Sequence, residues 1–179
     1  FREPLEPTPI PKQKYVTTYL STKARCALSS ETSKRLVTTI KQSSRGLLVI
    51  GSTTTIEEQD AAVRIAQQLS WPVIADVSSG CRLRNIPNQL FPTDTILKHP
   101  DHLIRPDLVL QLGKGVTPKI YEQWMSSLHC EHIVIHPWQN HRQNPSHSCT
   151  WYIQAHLNEV SILLNNVSLP IQHSYDRLW

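Results

Sequence analysis

The 179-residue sequence predicts a doubly wound α/β fold with a mostly parallel sheet. Short, continuous apolar runs recur along the chain, as is typical of strands that are buried on both faces. Amphipathic helical patterns separate these runs, and such alternation implies right-handed crossovers between parallel strands. No internal repeat of fixed period is present, so the pattern indicates one continuous domain rather than a repeat protein.

The elements follow in order along the chain. The run Ser29-Ser30-Glu31 can cap a first helix with an apolar face at Leu36, Val37 and Ile40. Strands are predicted at 47–51, 71–76, 107–113, 131–136 and 150–155. Later helices are predicted behind a capping box of Thr54 and Glu57, behind Thr117 as N-cap with Pro118 as first residue, and at 156–166.

Composition excludes several classes of protein. A hydrophobic content of 39% is typical of a globular chain, and no apolar run approaches the roughly 18–20 residues of a membrane span. The net charge of +4 is mild and its lysines and arginines are scattered, which argues against a nucleic-acid interface. None of the four cysteines forms C-x-x-C, so reduced thiols and a cytoplasmic location are expected.

Proline content divides the chain into three parts. Residues 1–14 hold most of the early prolines and predict an extended interdomain linker arm. Residues 15–167 form the predicted domain, and residues 168–179 lose periodicity and indicate a C-terminal linker. The chain begins at Phe1, and we therefore expect it to be part of a longer protein.

Ligands of doubly wound sheets bind outside the carboxyl ends of the strands. Loops 51–55, 76–85 and 113–119 leave those ends here. The last of them combines two glycines, a helix start and Lys119, and a cation is mildly unfavourable in a first helical turn unless an anion arrives from outside. The alternative is that the glycines only turn the chain and Lys119 is solvated.

Other candidates are weaker. Arg82 and Arg84 could bind carboxylates or could be two surface arginines. A dinucleotide fingerprint would need a third glycine where Pro118 stands. The spacing of His132 and His136 fits no common zinc site, and no G-x-S-x-G nucleophile motif occurs.

Four segments, in this order, resemble the central domain of the 2-succinyl-5-enolpyruvyl-6-hydroxy-3-cyclohexene-1-carboxylate synthase (MenD) family: "FREPL", "WPVIADVSSGCRLRN", "RPDLVLQLGKGVTPKIYEQW" and "RQNPSH". The resemblance implies a Rossmann-like central domain of a three-domain enzyme. It also implies a reaction in which 2-oxoglutarate is decarboxylated on thiamine diphosphate and the resulting carbanion adds to isochorismate, for menaquinone or phylloquinone synthesis.

The resemblance also implies site residues. The family's T-x-K lysine reaches into the active site to hold a substrate carboxylate, and Lys119 occupies that position. Thr117, Arg82 and Arg84 are further substrate-binding candidates by their own chemistry and place in the loops. Some members have arginine next to that lysine, whereas this chain has Ile120, so one cationic contact of the family is absent there.

Cofactor binding is assigned by the resemblance to the outer domains, which are the expected partners of this one. The thiamine diphosphate and magnesium signature begins with Gly-Asp-Gly, and none of the five glycines here lies in such a triplet. We therefore expect the chain alone to bind neither cofactor and to be inactive. The parent is expected to be a homodimer or tetramer, in the cytoplasm or in a plastid.

Two alternatives remain open from the sequence. The chain could be the central domain of another thiamine-diphosphate enzyme, such as a relative of acetolactate synthase, although the "FREPL" arm argues against this. It could also be a stand-alone binding or regulatory module for a carboxylated metabolite. A longer reading frame would exclude that second alternative.

Overall fold

Strands and helices alternate in the computed structural model, which describes residues 27–98, 105–137 and 148–169. The predicted arm 1–14, the segment "RQNPSH" and most of the C-terminal linker lie outside the described residues. The elements in chain order are α1 Ser30–Gln42, β1 Gly46–Ile50, α2 Ile56–Leu69, β2 Val73–Ala75, α3 Thr93–Lys98, β3 Leu108–Leu112, α4 Lys119–Ser127, β4 Glu131–Ile135, β5 Trp151–Ile153 and α5 Leu157–Asn165.

The five strands form one parallel sheet in the order β2-β1-β3-β4-β5. This confirms the predicted doubly wound α/β class. The strand order reverses between β1 and β3, and in open sheets of this kind the crevice at the reversal is where ligands bind. The loops that follow β1, β2 and β3 therefore decide what the domain can hold.

Alternate strand residues serve two separate cores because successive side chains point to opposite faces. On one face, Leu48 and Ile50 of β1 pack with the apolar sides of α1, α2 and α5. On the other face, Leu47 and Val49 pack with Leu97 of α3 and with α4. Burial on both faces explains why the strands are continuous apolar runs in the sequence.

The sequence placed these elements well but missed one. Each observed strand lies within one residue of its predicted range or inside it. Helix α3 was not predicted; it is only six residues long, directly follows a cis Phe91–Pro92 bond and carries little helical periodicity. Within the predicted capping run 29–31, Ser29 is the N-cap of α1, and its hydroxyl accepts from Thr32 N at 3.1 Å.

The capping box of α2 was predicted one residue too early. Thr55 is the N-cap and accepts from Glu58 N at 3.2 Å, while the Glu58 carboxylate accepts from Thr54 N at 2.8 Å. Glu57 therefore does not complete the box. The error arose because Thr53, Thr54 and Thr55 are equivalent caps by sequence, and only the path of the loop out of β1 selects Thr55.

Asp107 holds the amino-terminal edge of the sheet together. Its carboxylate accepts from Ser43 Oγ at 2.6 Å, from Ser44 N and Oγ, and from Arg45 N. Burial alone would raise the pKa of Asp107, but these hydrogen bonds outweigh burial and hold the pKa below its ordinary value. The aspartate of the "RPD" segment thus fastens the turn from α1 to β1 beside the start of β3.

No helix within the described ranges is long and apolar enough to cross a bilayer.

Candidate functional site

A cleft of about 350 Å³ opens at the carboxyl-terminal edge of the sheet, between the end of β2 and the start of α4. We call it the carboxyl-edge cleft; its lining includes Asp76, Val77, Arg82, Thr93, Thr117 and Tyr121. The cleft is of the size that holds a small metabolite. Its walls come from two of the three loops that the sequence marked as candidates.

The three loops are tied to one another. Thr53 Oγ1 donates to the Ser79 carbonyl at 2.8 Å, which joins the loop after β1 to the loop after β2. Lys114 N donates to the Ser52 carbonyl at 2.8 Å, which joins the loops after β1 and β3. The carboxyl edge is therefore a preorganised surface.

Asp76 is the centre of this arrangement and was not singled out by the sequence analysis. Its carboxylate accepts from Thr117 N at 3.2 Å and from Thr117 Oγ1 at 2.8 Å, and also from the backbone and hydroxyl of Ser78. The side chain is 4% exposed. An acidic residue directly after a buried strand, followed by Ser-Ser-Gly, was the signal that could have found it.

Hydrogen bonding fixes the charge of Asp76. Burial alone would raise its pKa, but the bonds donated by Ser78 and Thr117 outweigh burial and hold the pKa below its ordinary value. The carboxylate is therefore ionised at neutral pH, and its acceptor positions are occupied by its own loops. It acts as an anchor for the loop after β3 and is poorly placed to serve as a free general base.

The Thr117 side chain does not cap α4, contrary to the prediction. The helix begins at Lys119, Pro118 is the N-cap and no side chain supplies a capping bond. The Thr117 hydroxyl is directed to Asp76 instead, because the charged acceptor across the cleft gives a stronger hydrogen bond than a backbone N–H capped locally. Thr117 lines the cleft, as expected of a site residue.

Lys119 stands in the first turn of α4 with its side chain exposed to solvent. It is one residue beyond Pro118, which lines the carboxyl-edge cleft. Its ammonium has no ion-pair partner among the described residues, and the electropositive helix start does not stabilise it. The placement leaves Lys119 available to an anion at the mouth of the cleft.

The two candidate arginines have different surroundings. Arg82 is half-buried, lines the cleft and places its guanidinium 5.1 Å from the centre of the Phe91 ring. Arg84 is not a lining residue, and its guanidinium forms an ion pair with Asp60 of α2 at 2.6 Å. Residues two apart in a turn thus face opposite sides, and of the two arginines only Arg82 belongs to the cleft.

The glycines of this edge accommodate neighbouring backbone. A Cβ atom at Gly51 would collide with the carbonyl oxygen of Lys114, and one at Gly113 would lie 2.5 Å from the carbonyl oxygen of Ser52. Gly113 also has a φ of 79°, which favours glycine. Gly51 and Gly113 therefore let two loops cross at van der Waals contact, and this close approach explains them without a bound phosphate.

A buried polar network supports the loop after β3 from below. Gln111 Oε1 accepts from Tyr121 OH at 3.3 Å and from His132 Nε2 at 3.2 Å, and Gln111 Nε2 donates to the Lys114 carbonyl at 3.4 Å. Because Nε2 of His132 donates, Nδ1 accepts from Ser148 Oγ at 3.0 Å. Burial lowers the pKa of His132 to about 4 and raises that of Tyr121.

His132 takes part in this network through its imidazole ring. Both of its ring nitrogens are engaged with protein groups, and within the described ranges no three His, Cys, Asp or Glu side chains could hold a metal ion together. The carboxyl edge therefore offers charged and polar groups for binding a small anion.

Comparison with known proteins identifies relatives along most of the chain. The family model described as "Middle domain of thiamine pyrophosphate" matches residues 12–167. The chain is 33% identical over 129 residues to Protein PHYLLO, chloroplastic, of Arabidopsis thaliana, a match that covers 66% of this chain and 8% of the relative.

A second relative matches nearly the full length of this chain. The chain is 28% identical over 176 residues to 2-succinyl-5-enolpyruvyl-6-hydroxy-3-cyclohexene-1-carboxylate synthase of Chlorobium phaeobacteroides (strain BS1). This match covers 92% of the chain and 30% of the relative. The chain thus spans less than a third of the length of these two curated relatives.

Among solved structures, the thiamine diphosphate-dependent 4-hydroxybenzoylformate decarboxylase of Rhodococcus jostii RHA1 shares the fold. Its TM-score is 0.51 at 17% identity, and the match covers 84% of this chain and 30% of that one. The likeness confirms the Rossmann-like architecture that the sequence resemblance implied. It carries no information on substrate.

Proposed function

Because this chain belongs to the family of middle domains of thiamine pyrophosphate enzymes, we propose that it is the central domain of a synthase that decarboxylates 2-oxoglutarate and adds the product carbanion to isochorismate. The relative of that name from Chlorobium phaeobacteroides, matched over 92% of the chain, supports this choice among thiamine-diphosphate enzymes. The product of the proposed reaction is 2-succinyl-5-enolpyruvyl-6-hydroxy-3-cyclohexene-1-carboxylate, the compound after which that relative is named.

The observation that carries the proposal is the presence of two cations, Arg82 and Lys119, at the carboxyl-edge cleft. Arg82 lines the cleft, and Lys119 is exposed one residue beyond Pro118 of its wall. Both proposed substrates carry carboxylates, which a guanidinium fork and an ammonium group bind well. The ionised carboxylate of Asp76 opposes an anion, but hydrogen bonds from Ser78 and Thr117 spread its charge, and the two cations exceed its single negative charge.

In this proposal the residues have separate roles. Arg82 and Lys119 bind substrate carboxylate, and Thr117 positions the loop that leads to Lys119 through its bonds to Asp76. Ile120 presents no second cation beside Lys119, and Arg82 is the cation that lines the cleft among the described residues. Arg84, paired with Asp60, provides a matched control of the same residue type in the same turn.

Thiamine diphosphate supplies the carbanion chemistry in such enzymes, and the residues of this chain do not fit that cofactor. None of the five glycines lies in Gly-Asp-Gly, and no three ligating side chains of the described residues converge on a metal. We therefore assign thiamine diphosphate and magnesium to other domains of the parent protein.

The test uses the longer protein that carries this chain. Thiamine-diphosphate-dependent consumption of 2-oxoglutarate is measured in the presence of isochorismate, for wild type and for the Lys119→Ala, Arg82→Gln and Arg84→Gln variants. Loss of one charged hydrogen bond costs about 1.5–3 kcal/mol, so kcat/KM should fall roughly 10–100-fold for Lys119→Ala and for Arg82→Gln. Arg84→Gln should stay within about twofold of wild type.

The possible results test the reaction, the two residues and the role of the chain separately. A wild-type enzyme that consumes pyruvate but not 2-oxoglutarate would replace the proposed reaction with that of an acetolactate-synthase relative. Wild-type activity that is unaffected by both Lys119→Ala and Arg82→Gln would remove these residues from the site while keeping the reaction. Turnover by the 179-residue chain alone, supplied with both substrates and cofactors, would contradict its role as one domain of the enzyme.

A further inference from the structure

A second cleft, of about 430 Å³, opens at the opposite, amino-terminal edge of the sheet. We call it the amino-edge cleft. Arg45 lines it just before β1, Arg105 and Pro106 line it just before β3, and Trp124, Leu128 and His129 line it at the end of α4. A five-residue strand at about 3.3 Å per residue separates its edge from the carboxyl edge by roughly 16 Å.

The charge of the amino-edge cleft is positive. Arg45 and Arg105 are both exposed, and among the residues that the structure describes neither guanidinium forms an ion pair. Among the described residues, no acidic side chain lines the cleft. The carboxylate of Asp107, two residues after Arg105, is occupied by hydrogen bonds from Ser43, Ser44 and the backbone of Arg45.

Trp124 provides an independent sign of a missing partner. Its side chain is 6% exposed, and its buried Nε1–H has no hydrogen-bond partner within the described residues. A buried donor without an acceptor costs about 1–3 kcal/mol, so native proteins seldom keep one. Because Trp124 lines the cleft, a ligand oxygen entering there could accept from this group.

Two features oppose an anion at this cleft: the carboxyl end of α4 and the ionised carboxylate of Asp107. Burial and the charge of Asp107 both raise the pKa of Cys130, so that charge is felt beside the cleft. The carboxyl end of α4 opens here, and a helix end carries only about half a negative charge. The two guanidinium groups carry a full positive charge each, which exceeds the single charge of Asp107 and the half charge of the helix end together. Pro106, Leu128 and the Trp124 ring give the cleft an apolar wall beside these charges.

From these observations we propose that the amino-edge cleft binds a small organic carboxylate with an apolar body. The carboxylate lies between Arg45 and Arg105, one of its oxygens accepts from Trp124 Nε1, and the apolar body packs on Pro106 and Leu128. The proposal rests on residues that take no part in the proposed reaction, so it stands or falls separately from it.

The experiment records indole N–H resonances of the ¹⁵N-labelled 179-residue chain during titration with 3-phenylpropionate. Uncharged 3-phenylpropionamide and inorganic phosphate are titrated in parallel, as tests of the charge and of the apolar body. The Trp124 resonance is identified as the indole peak that is missing from the spectrum of the Trp124→Phe variant. If that variant does not fold, the peak is assigned by correlation with the backbone of the wild-type chain. We expect a saturable downfield shift of the Trp124 indole proton with 3-phenylpropionate, and affinity at least about tenfold weaker for the other two probes.

Charge-matched variants complete the test. The Arg45→Gln, Arg105→Gln double variant should weaken 3-phenylpropionate binding by at least about tenfold, because two charge-assisted contacts are lost. The Lys34→Gln, Lys41→Gln double variant removes the same charge from α1 and should bind as wild type does. Three results would overturn the proposal. The first is that no saturable shift occurs up to about 20 mM 3-phenylpropionate, and the second is that the ligand binds without shifting the Trp124 indole resonance. The third is that the affinity is unchanged in the Arg45→Gln, Arg105→Gln variant.

Discussion

Asp76 and Thr117 are 41 positions apart in sequence, yet two hydrogen bonds join them across the carboxyl-edge cleft. Thr117 N and Thr117 Oγ1 lie 3.2 Å and 2.8 Å from the two carboxylate oxygens of Asp76. The strand order brings them together, because β2 and β3 flank β1 and their carboxyl ends face the same edge. The loop that leads into α4, and with it Lys119, is thereby fixed to the end of β2.

Replacing Asp76 should loosen this edge. Asp76→Asn removes the charge and directs an amide NH₂ toward groups that are themselves donors, so we expect a loss of about 2–4 kcal/mol in the free energy of unfolding. Urea denaturation measures the loss, and hydrogen exchange at the Thr117 amide should accelerate. The Asp60→Asn control removes an exposed carboxylate and should cost less than about 1 kcal/mol; equal losses for the two variants would contradict a special role for Asp76.

Gly51 should not tolerate a side chain. The added methyl group of Gly51→Ala collides with the carbonyl oxygen of Lys114, which is backbone and cannot move without breaking the bond from Lys114 N to the Ser52 carbonyl. We expect destabilisation of about 3 kcal/mol or more, measured by urea denaturation. Ser52→Ala next to it adds no atoms and should cost less than about 1 kcal/mol. A Gly51→Ala variant as stable as wild type would show that the two loops do not cross this closely.

The ion pair between Arg84 and Asp60 should contribute little to stability. The two side chains are 37% and 41% exposed, and water and salt screen such pairs. A double-mutant cycle of Arg84→Gln and Asp60→Asn should give a coupling energy below about 1 kcal/mol that declines further in 0.5 M salt. A coupling well above this value would mean that the pair holds the loop after β2, and Arg84→Gln would then be unsuitable as a neutral control.

His132 should make the domain less stable in acid. Its pKa is near 6.5 in the unfolded chain and lowered to about 4 in the fold, so between these values the unfolded state binds a proton that the folded state does not. The contribution of His132 is therefore fully present above pH 6.5 and is lost as the pH falls to 4. The gap of about 2.5 pH units corresponds to roughly 3 kcal/mol.

The measurement compares the pH dependence of unfolding between pH 7 and pH 4.5 in wild type and His132→Gln. Glutamine cannot titrate in this range, so the variant should lose most of the slope, whatever its stability at pH 7. The pKa of Asp76 is also lowered, and its contribution likewise declines in acid, but it is common to both proteins and cancels in the difference. A His132 imidazole that titrates near pH 6.5 by NMR would contradict its burial.

Local chemistry was enough to predict the fold class. The continuous apolar runs predicted strands buried on both faces, and the amphipathic segments between them predicted crossover helices. The run Ser29-Ser30-Glu31 was correctly identified as the start of α1 because a helix of clear periodicity lies directly behind it. The resemblance of the chain to the MenD family was confirmed by the family model over residues 12–167 together with the curated relative of that name.

The partners of the site residues were decided by the tertiary structure alone. Arg82 and Arg84 are equivalent by sequence, but the turn after β2 directs one to the cleft and the other to Asp60. Thr117 was predicted as a cap because capping depends on neighbours in sequence, whereas its partner Asp76 comes from another strand end. Periodicity reports which face of an element is buried, but contacts between loops depend on strand order and twist, which set distances between residues remote in the chain.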